Sequence, residues 1–211
     1  SEPVNPKPRL IVKNLNVCDK DGVARLCDVN FTAYSGEILG VAGISGSGQK
    51  ELLEAIAGLQ NCRDCSTIEF ISDQGEKKLI SGMHPLDIKN LGVALAFVPE
   101  DRLGMGLVGS MNLTDNMMLR SYRDGKGPIA NRKAPKKLAE TVVHDLEVVT
   151  PSINTPVRRL SGGNVQKVLV GREIAMQPQL LMSAYAVRGL DINTSYNIYH
   201  LLSEQKERGA A

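Results

Sequence analysis

A glycine-rich stretch at residues 43–50, with the sequence G-I-S-G-S-G-Q-K, has the residue types and spacing of a phosphate-binding loop. An apolar run at residues 38–42 precedes it, and an amphipathic run at residues 51–57 follows it. This order predicts a strand, a loop and a helix, in which the glycines allow close backbone approach and the helix N-terminus adds partial positive charge. The residues predicted to surround a phosphate chain are Gly43, Ser45, Gly46, Ser47, Gly48, Gln49 and Lys50.

The loop departs from the usual pattern at the two positions that serve the phosphates and magnesium. In G-x-x-x-x-G-K-[ST], the lysine reaches the β- and γ-phosphates and the hydroxyl binds Mg²⁺. Here Gln49 takes the lysine position and Lys50 takes the hydroxyl position. Lys50 is a poor substitute, because one residue along a helix is a rotation of roughly 100°. The sequence therefore predicts a phosphate-binding loop that lacks these two side chains. If the loop is considered alone, the alternative is an ordinary turn between a strand and a helix.

A second candidate anion site lies at residues 160–167, with the sequence L-S-G-G-N-V-Q-K. The apolar spacing that follows predicts a helix beginning here. A hydroxyl and small residues at a helix N-terminus leave backbone N–H groups accessible to an anion, which the helix dipole also favours. The structural alternative is that Ser161 only caps the helix.

A polar cluster, P-E-D-R at residues 99–102, follows the apolar run at residues 93–98. That run is typical of a buried parallel strand, and sheets of this kind place their sites at the carboxyl ends of the strands. Glu100 is therefore a candidate site residue. The alternative is a surface turn with a weak ion pair between Asp101 and Arg102.

The composition indicates an α/β protein without a membrane-spanning segment. The chain has 211 residues, of which 42% are hydrophobic and 23% are charged, enough to bury a core without disulfides. A formal net charge of +2 does not argue for nucleic-acid binding. No apolar run approaches the roughly 18–20 residues of a membrane span, and the N-terminus has no signal-peptide pattern. Any membrane association is predicted to be peripheral.

The four cysteines, Cys18, Cys27, Cys62 and Cys65, are expected to be free thiols. Cys62 and Cys65 form a single C-x-x-C motif. A zinc site needs a second pair of ligands, and the nearest histidine, His84, has no companion. Because this C-x-x-C does not open a helix, the sequence also disfavours a redox role.

The rest of the chain predicts a linker, two hairpins and several helices. Prolines within residues 1–9 predict an extended linker. Glycine-containing turns near residues 21–22 and 73–75 predict the hairpins. Strands are predicted at residues 10–17, 26–31, 67–71, 77–80, 93–98 and 180–182. Helices are predicted at residues 113–119 and 136–149, after residue 161, and in a final segment ending near residue 208.

These motifs, in this order, resemble the ATP-binding cassette (ABC) domain family. The L-S-G-G-N-x-Q-K form at residues 160–167 is similar to the signature of ATPases of ribose-type simple-sugar and nucleoside importers, which carry two cassettes in one polypeptide. The G-Q pair at residues 48–49, the P-E-D-R cluster and R-G-L-D at residues 188–191 resemble the second, C-terminal cassette. The proline-rich start then resembles the linker between cassettes.

The resemblance implies an α/β fold with a P-loop NTPase core, an antiparallel β subdomain and a helical signature subdomain. The core and β parts would occupy about residues 10–98 and 177–211, and the helical subdomain about residues 110–176. ATP and Mg²⁺ are the implied cofactors of the assembled transporter. Glu100 would stand at the Q-loop and Asp191 in the D-loop. The signature residues implied to act on a partner's nucleotide are Ser161, Gly162, Gly163, Asn164 and Gln166.

The sequence departs from the family where the chemistry would be expected. The family pattern before R-G-L-D is D-E-P-T, whose Asp holds magnesium and whose Glu polarises the attacking water. Ala184 and Tyr185 take these positions here, and neither can do that work. The chain also ends at residue 211, before the expected strand and histidine switch, so a C-terminally truncated cassette is expected.

These observations predict a degenerate second cassette whose signature completes the ATP site of a partner cassette, with little or no ATPase activity of its own. The implied partners are the N-terminal cassette of the same polypeptide or a second cassette, transmembrane permease subunits and, indirectly, a solute-binding protein, with no nucleic acid. The implied location is the cytoplasmic face of the cell membrane. The alternatives are a non-transport ABC ATPase of the DNA-repair or translation-factor type, and a structural or regulatory nucleotide-sensing domain.

Overall fold

The computed structural model describes residues 5–44, 46–97, 107–121, 132–184 and 190–211. Three predicted site residues, Ser45, Glu100 and Tyr185, lie outside the described residues, as do the rest of P-E-D-R and the first two residues of R-G-L-D. The chain divides into two compact units. The β unit comprises residues 1–95, 177–184 and 202–211, and the helical unit comprises residues 96–176 and 185–201. Across the described ranges, no helix is both long enough and apolar enough to cross a bilayer.

The β unit contains a four-stranded antiparallel sheet with the strand order β2-β1-β3-β4. Its strands are β1 (Pro8–Cys18), β2 (Ala24–Tyr34), β3 (Thr67–Ile71) and β4 (Lys77–Leu79). Central strand β1 pairs with β2 and β3, so Val12 lies opposite both Phe31 and Ile68. Both predicted hairpins are confirmed.

Two helices and a second small sheet complete the β unit. Helix α1 (Gln49–Ile56) packs its buried face into the core formed by the sheet. Helix α2 (Pro85–Asn90) was not predicted; the ring nitrogen of His84 accepts from the backbone N–H of Leu86 and caps it. Strands β5 (Val93–Phe97) and β6 (Leu180–Ala184) form a two-stranded sheet at the predicted positions.

The strand predicted at residues 38–42 is wrong. The structure assigns no strand there, and the side chains of Ile38 and Val41 are 60% and 55% exposed. A strand requires a neighbour with which to share backbone hydrogen bonds, and no pairing of residues 38–42 occurs among the described strands. Residues 38–42 are apolar, but they do not form the backbone hydrogen bonds to a neighbouring strand that define a β-strand.

The helical unit packs three helices around a second apolar core. They are α3 (Leu113–Ser121), α4 (Lys133–Asp145) and α5 (Gly162–Ala175). Helix α4 begins and ends earlier than the predicted residues 136–149; Glu147 adopts a left-handed φ of 49°, which ends the helical path. Helix α6 (Ile192–Glu207) is the last helix of the chain. Met117 is fully buried in this core.

Gly171→Ala is expected to destabilise the helical unit by about 1–3 kcal/mol. In most helices this change is stabilising, because alanine has the better helix propensity. At Gly171, however, an added Cβ would lie 2.7 Å from Leu146 Cδ1 and 2.9 Å from Val142 Cγ1, where α5 passes close to α4. Urea denaturation measures the effect, with Gly40→Ala as a control because a Cβ there meets nothing within 4 Å. A stabilised Gly171→Ala would contradict this close packing.

Candidate nucleotide and signature sites

The glycine loop ends at a helix whose first turn carries no side-chain cap. Gly46 and Gly48 adopt left-handed φ angles of 84° and 92°, and Gly48 is the N-cap residue of α1. A Cβ on Gly48 would lie 2.8 Å from the backbone oxygen of Arg25 and 2.7 Å from Leu26 Cδ2. The loop is thus seated tightly on β2, and only glycine fits this contact. Its geometry leaves backbone N–H groups at the start of α1 available to an anion.

The side chain of Gln49 folds back into this loop. Its Nε2 donates a hydrogen bond of 3.4 Å to the backbone oxygen of Ile44. The same amide occupies the space that a Cβ on Gly43 would need. The residue at the lysine position of the pattern therefore contacts its own loop instead of extending a cation toward a phosphate chain.

Lys50 points along the helix surface. Its Nζ lies 3.7 Å from Glu54 Oε1, one turn further along α1, and the lysine side chain is half exposed. This placement agrees with the rotation of roughly 100° between successive residues of a helix. Lys50 carries positive charge near the loop, but its ion pair holds that charge on the flank of α1.

Lys50 and Ala184 do not fit a magnesium ion. Lys50 takes the position at which the phosphate-loop pattern has a hydroxyl, and Ala184, at the end of β6, takes the position at which the family resemblance implies a carboxylate. Within the described residues, no group of three or more His, Cys, Asp or Glu side chains is arranged to hold a metal. Mg²⁺ prefers several oxygen ligands in octahedral geometry, which these side chains cannot supply.

Ser161 caps helix α5 and holds the signature residues at its N-terminus. Its Oγ accepts hydrogen bonds from the backbone N–H of Asn164 at 3.4 Å and from Asn164 Nδ2 at 2.9 Å. The Oδ1 of Asn164 in turn accepts from the backbone N–H of Val149 at 3.0 Å. Gly163 lies close to Leu190, whose Cδ2 would be 3.3 Å from an added Cβ. These contacts fix the helix start and leave Ser161 exposed.

Gln166 and Lys167 belong to the interior of the helical unit. The Gln166 side chain is 1% exposed, although it was predicted with the signature residues that act on a partner. The Nζ of Lys167 donates to the backbone oxygen of Glu147 at 3.2 Å. The first residues of α5 are therefore accessible to another molecule, whereas the side chain of Gln166 is buried.

Asp191 caps helix α6. Its Oδ1 accepts from the backbone N–H of Thr194 at 2.9 Å, and its Oδ2 accepts from Thr194 Oγ1 at 2.6 Å. The hydrogen bond from the Thr194 side chain, then that from its backbone, lowers the pKa of Asp191, with a smaller contribution from the charge of Lys167. The residue predicted in the D-loop thus has a structural role in this chain in addition to any role at an interface.

Asp191→Ala is expected to lower the Tm by a few degrees at neutral pH, because a helix cap is lost. Since the folded-state pKa lies below the ordinary value of 3.8, folding favours the carboxylate. The stabilisation is present above pH 3.8 and is lost as the pH falls through the folded-state pKa. Thermal unfolding from pH 7 to pH 2.5 should show the two proteins converging in acid. Thr194→Val, which removes one of the two bonds, should show a smaller version of this profile, and a constant Tm difference would contradict it.

The P-loop arrangement in the β unit and the capped signature helix in the helical unit together define a nucleotide-binding cassette. The sequence profile of the family described as ABC transporter matches residues 26–183. The chain therefore belongs to the ABC transporter family and contains its ATP-binding domain.

Several curated relatives align over nearly the whole chain. The guanosine import ATP-binding protein NupO of Bacillus subtilis is 34% identical over 96% of this chain. A ribose import ATP-binding protein, RbsA 1 of Mesorhizobium japonicum, is 32% identical over 99%. The xylose import ATP-binding protein XylG of Moorella thermoacetica is 33% identical over 99%. The alignments cover 39%, 39% and 41% of these proteins, so the chain spans about two fifths of their length.

Solved cassette structures share the fold. A nucleotide-free ATP-binding cassette from an ABC transporter matches 97% of this chain and 79% of its own, with a TM-score of 0.77 and 18% identity. A dimeric bacterial ABC transporter cassette matches 94% of this chain and 83% of its own, with a TM-score of 0.75 and 22% identity. At these identities the likeness concerns the fold alone, which confirms the predicted fold class.

Proposed function

We propose that this chain is the nucleotide-binding domain of an importer for simple sugars or nucleosides, and that it acts as a degenerate second cassette. The names of the relatives support the substrate class, because they describe guanosine, ribose and xylose import. The observation that carries the degenerate role is the side chain of Gln49, which folds back onto the Ile44 carbonyl at the position where a catalytic loop presents its lysine. The exposed Ser161 at the start of α5 supports the second part of the proposal, in which the signature completes the nucleotide site of another cassette.

The chain contributes to catalysis by completing another cassette's nucleotide site. In this proposal, the N-terminus of α5 meets the γ-phosphate of ATP held by the phosphate loop of a partner cassette. Ser161, Gly162 and Gly163 offer a hydroxyl and backbone N–H groups, and the helix dipole adds partial positive charge. Preorganised donors of this kind stabilise charge in a transferring phosphoryl group without performing proton transfer themselves.

The chain's own loop does not hydrolyse ATP in this proposal. No charge from residue 49 or 50 is directed into the loop, since Gln49 is neutral and Lys50 pairs with Glu54. Ala184 cannot hold magnesium, and Tyr185 cannot serve as a base at neutral pH. ATP and Mg²⁺ are cofactors of the assembled transporter through the partner's site.

The proposed partners are an N-terminal cassette of the same polypeptide or a separate second cassette, and permease subunits in the membrane. Asp191 faces the partner cassette as part of the D-loop. The permease is received by residues 100–109 together with helices α3 and α4. A solute-binding protein takes part indirectly, and the chain is peripheral on the cytoplasmic face of the membrane.

Copurification decides between import and a non-transport role. The full-length protein, expressed together with its permease subunits, is expected to remain with solubilised membranes and to copurify with the permease. Its ATP turnover should rise when the permease and a loaded solute-binding protein are added. Salt-sensitive binding to duplex DNA or RNA, without permease association, would instead support the DNA-repair or translation-factor alternative.

A further inference from the structure

The start of helix α4 concentrates positive charge on the surface of the helical unit. Arg132 is the N-cap residue, and Lys133, Lys136 and Lys137 follow it on the helix. All four side chains are exposed, and we call them the α4 basic cluster. The stretch at residues 120–137 contains seven lysines and arginines and one acidic residue, whereas the whole chain has 25 lysines and arginines and 23 acidic residues. The positive charge of the chain is therefore strongly localised.

Helical spacing places the cluster on the solvent side of α4. Its members are spaced i, i+1, i+4 and i+5, so they form two adjacent rows on the helix surface. The buried residues of the helix, Pro135, Ala139 and Val142, follow a different row. The cations therefore share one accessible face.

The cluster is placed where it opposes the stability of its own helix. A helix N-terminus favours acidic residues, yet the first turn of α4 contains none. Cations one turn apart also repel each other. Arg132 lies 2.7 Å from Asp115 and Lys136 lies 3.9 Å from Glu140, but the two cations remain 64% and 61% exposed, and such surface pairs are weak. Charge that is unfavourable in the folded chain indicates an anionic partner.

Apolar side chains accompany the cations. Leu119 is 45% exposed and lies one turn from Asp115 on α3, on the face that meets Arg132. Ala134 is exposed within the cluster itself. Surfaces that lie on a membrane combine cations with exposed apolar groups in this way. Binding of single-stranded nucleic acid instead uses aromatic stacking, and neither α3 nor α4 contains Phe, Tyr or Trp.

We propose that the α4 basic cluster, together with Leu119, binds the anionic headgroups of membrane lipids. This inference rests on the proposed location of the chain at the cytoplasmic leaflet, where anionic lipids attract basic segments. Each lysine or arginine near such a surface strengthens binding by up to about fivefold. The contact adds to the affinity that the permease provides, and it holds the helical unit against the membrane beside the permease.

Vesicle cosedimentation of the full-length protein tests the lipid contact in the absence of the permease. The vesicles contain phosphatidylcholine alone, or phosphatidylcholine with about 30% of the anionic lipid phosphatidylglycerol. We expect binding to the anionic vesicles to be at least about tenfold tighter at about 0.15 M salt, and this preference to disappear at about 1 M salt, where screening is strong. Equal binding to the two kinds of vesicle would overturn the proposal. Salt-sensitive RNA binding without vesicle binding would do so as well.

A triple variant assigns the binding to α4. Lys133→Gln, Lys136→Gln and Lys137→Gln together should weaken binding to the anionic vesicles about tenfold or more. Because repelling cations are removed from a helix N-terminus, the Tm of this variant should be unchanged or higher. Arginine at the same three positions keeps the charge and should preserve the binding. Wild-type affinity in the glutamine variant would contradict the proposal.

A control variant removes the same number of charges from the β unit. Its substitutions, at exposed positions, are Lys20→Gln, Lys77→Gln and Lys78→Gln. Vesicle binding should change less than about twofold, because these lysines lie outside the cluster. An equal loss in the two triple variants would show that net charge alone drives binding, against the proposal.

The permease copurification described above separates this inference from the importer role. Copurification by a protein that does not bind anionic vesicles would refute the lipid surface and leave the importer role intact. Vesicle binding that depends on the α4 basic cluster, without copurification, would refute the importer role and leave the lipid surface intact.

Discussion

Ser161→Arg in the full-length polypeptide is expected to reduce ATP turnover about 100-fold or more. The substitution places a long charged side chain at the exposed N-terminus of α5, where we propose that a partner's γ-phosphate binds. It also removes the hydroxyl that Asn164 bonds in the present structure. Losing one preorganised donor to a transition state typically costs two to three orders of magnitude in rate. Phosphate release at saturating MgATP measures the effect.

Two control variants separate this effect from misfolding and from the chain's own loop. Ser161→Ala removes the cap without adding bulk, and its turnover should lie between those of the wild type and Ser161→Arg. Lys50→Ala should change turnover less than about twofold, because Lys50 pairs with Glu54 instead of reaching into the loop. Near-normal turnover in Ser161→Arg, with the Tm unchanged, would refute the proposed role of the signature.

Glu173→Gln is expected to destabilise the helical unit by about 3–5 kcal/mol, which corresponds to a decrease in Tm of about 10 °C. Arg172 and Glu173 are only 1% and 2% exposed and form an ion pair at 3.0 Å. The Nη1 of Arg172 also donates to the backbone oxygen of Asn116 at 3.4 Å. Replacing the carboxylate with an amide of the same size removes the negative charge that lies 3.0 Å from the buried guanidinium. Calorimetry measures the change.

A surface pair and a double variant complete this test. Glu140 lies 3.9 Å from Lys136, both more than half exposed, so Glu140→Gln should change the Tm by less than about 2 °C. Arg172→Met combined with Glu173→Leu removes both charges and should recover much of the lost stability. A Tm decrease for Glu173→Gln no larger than that for Glu140→Gln would show that the buried charge is compensated elsewhere.

Local chemistry explains which parts of the fold could be predicted from the sequence. The hairpin between β1 and β2 has a turn in which the Asp19 carboxylate accepts from the N–H groups of Asp21 and Val23, a pattern that short-range rules describe well. The start of α5 has a serine cap, and its signature sequence marked it clearly. These features depend on residues within one or two turns of each other.

Other features depend on tertiary contacts that no local pattern encodes. Residues 38–42 have the composition of a buried strand, yet a strand also needs a neighbour, which the pattern does not specify. Arg9 fell within the predicted linker, but it lies on β1, is buried, and donates to the backbone oxygen of Ile71 at 3.0 Å. Its guanidinium also donates to Gln179 Oε1 and to the backbone oxygen of Gly209, so the burial of Arg9 depends on segments that lie far away in the sequence.

In the candidate sites, too, the sequence indicates local features and does not indicate tertiary contacts. The substitutions at Gln49 and Lys50 could be read from the sequence, but the return of the Gln49 amide to Ile44 could not. Likewise, the motif identified Asn164, while its bond to the backbone of Val149 depends on how the preceding segment packs against α5. The hydrogen bond from Arg63 to Cys18 joins positions 45 residues apart, and no local pattern indicates it.

We propose that this chain completes a nucleotide site without hydrolysing ATP itself. Titration of the isolated chain with MgATP by calorimetry, together with phosphate release, tests it most directly. We expect weak or no binding and no turnover, because Gln49 folds back into the loop and Lys50 takes the position of the magnesium hydroxyl. Turnover above the buffer rate that is abolished by substituting Gln49 or Lys50 would contradict it, and the chain would then be a self-sufficient ATPase.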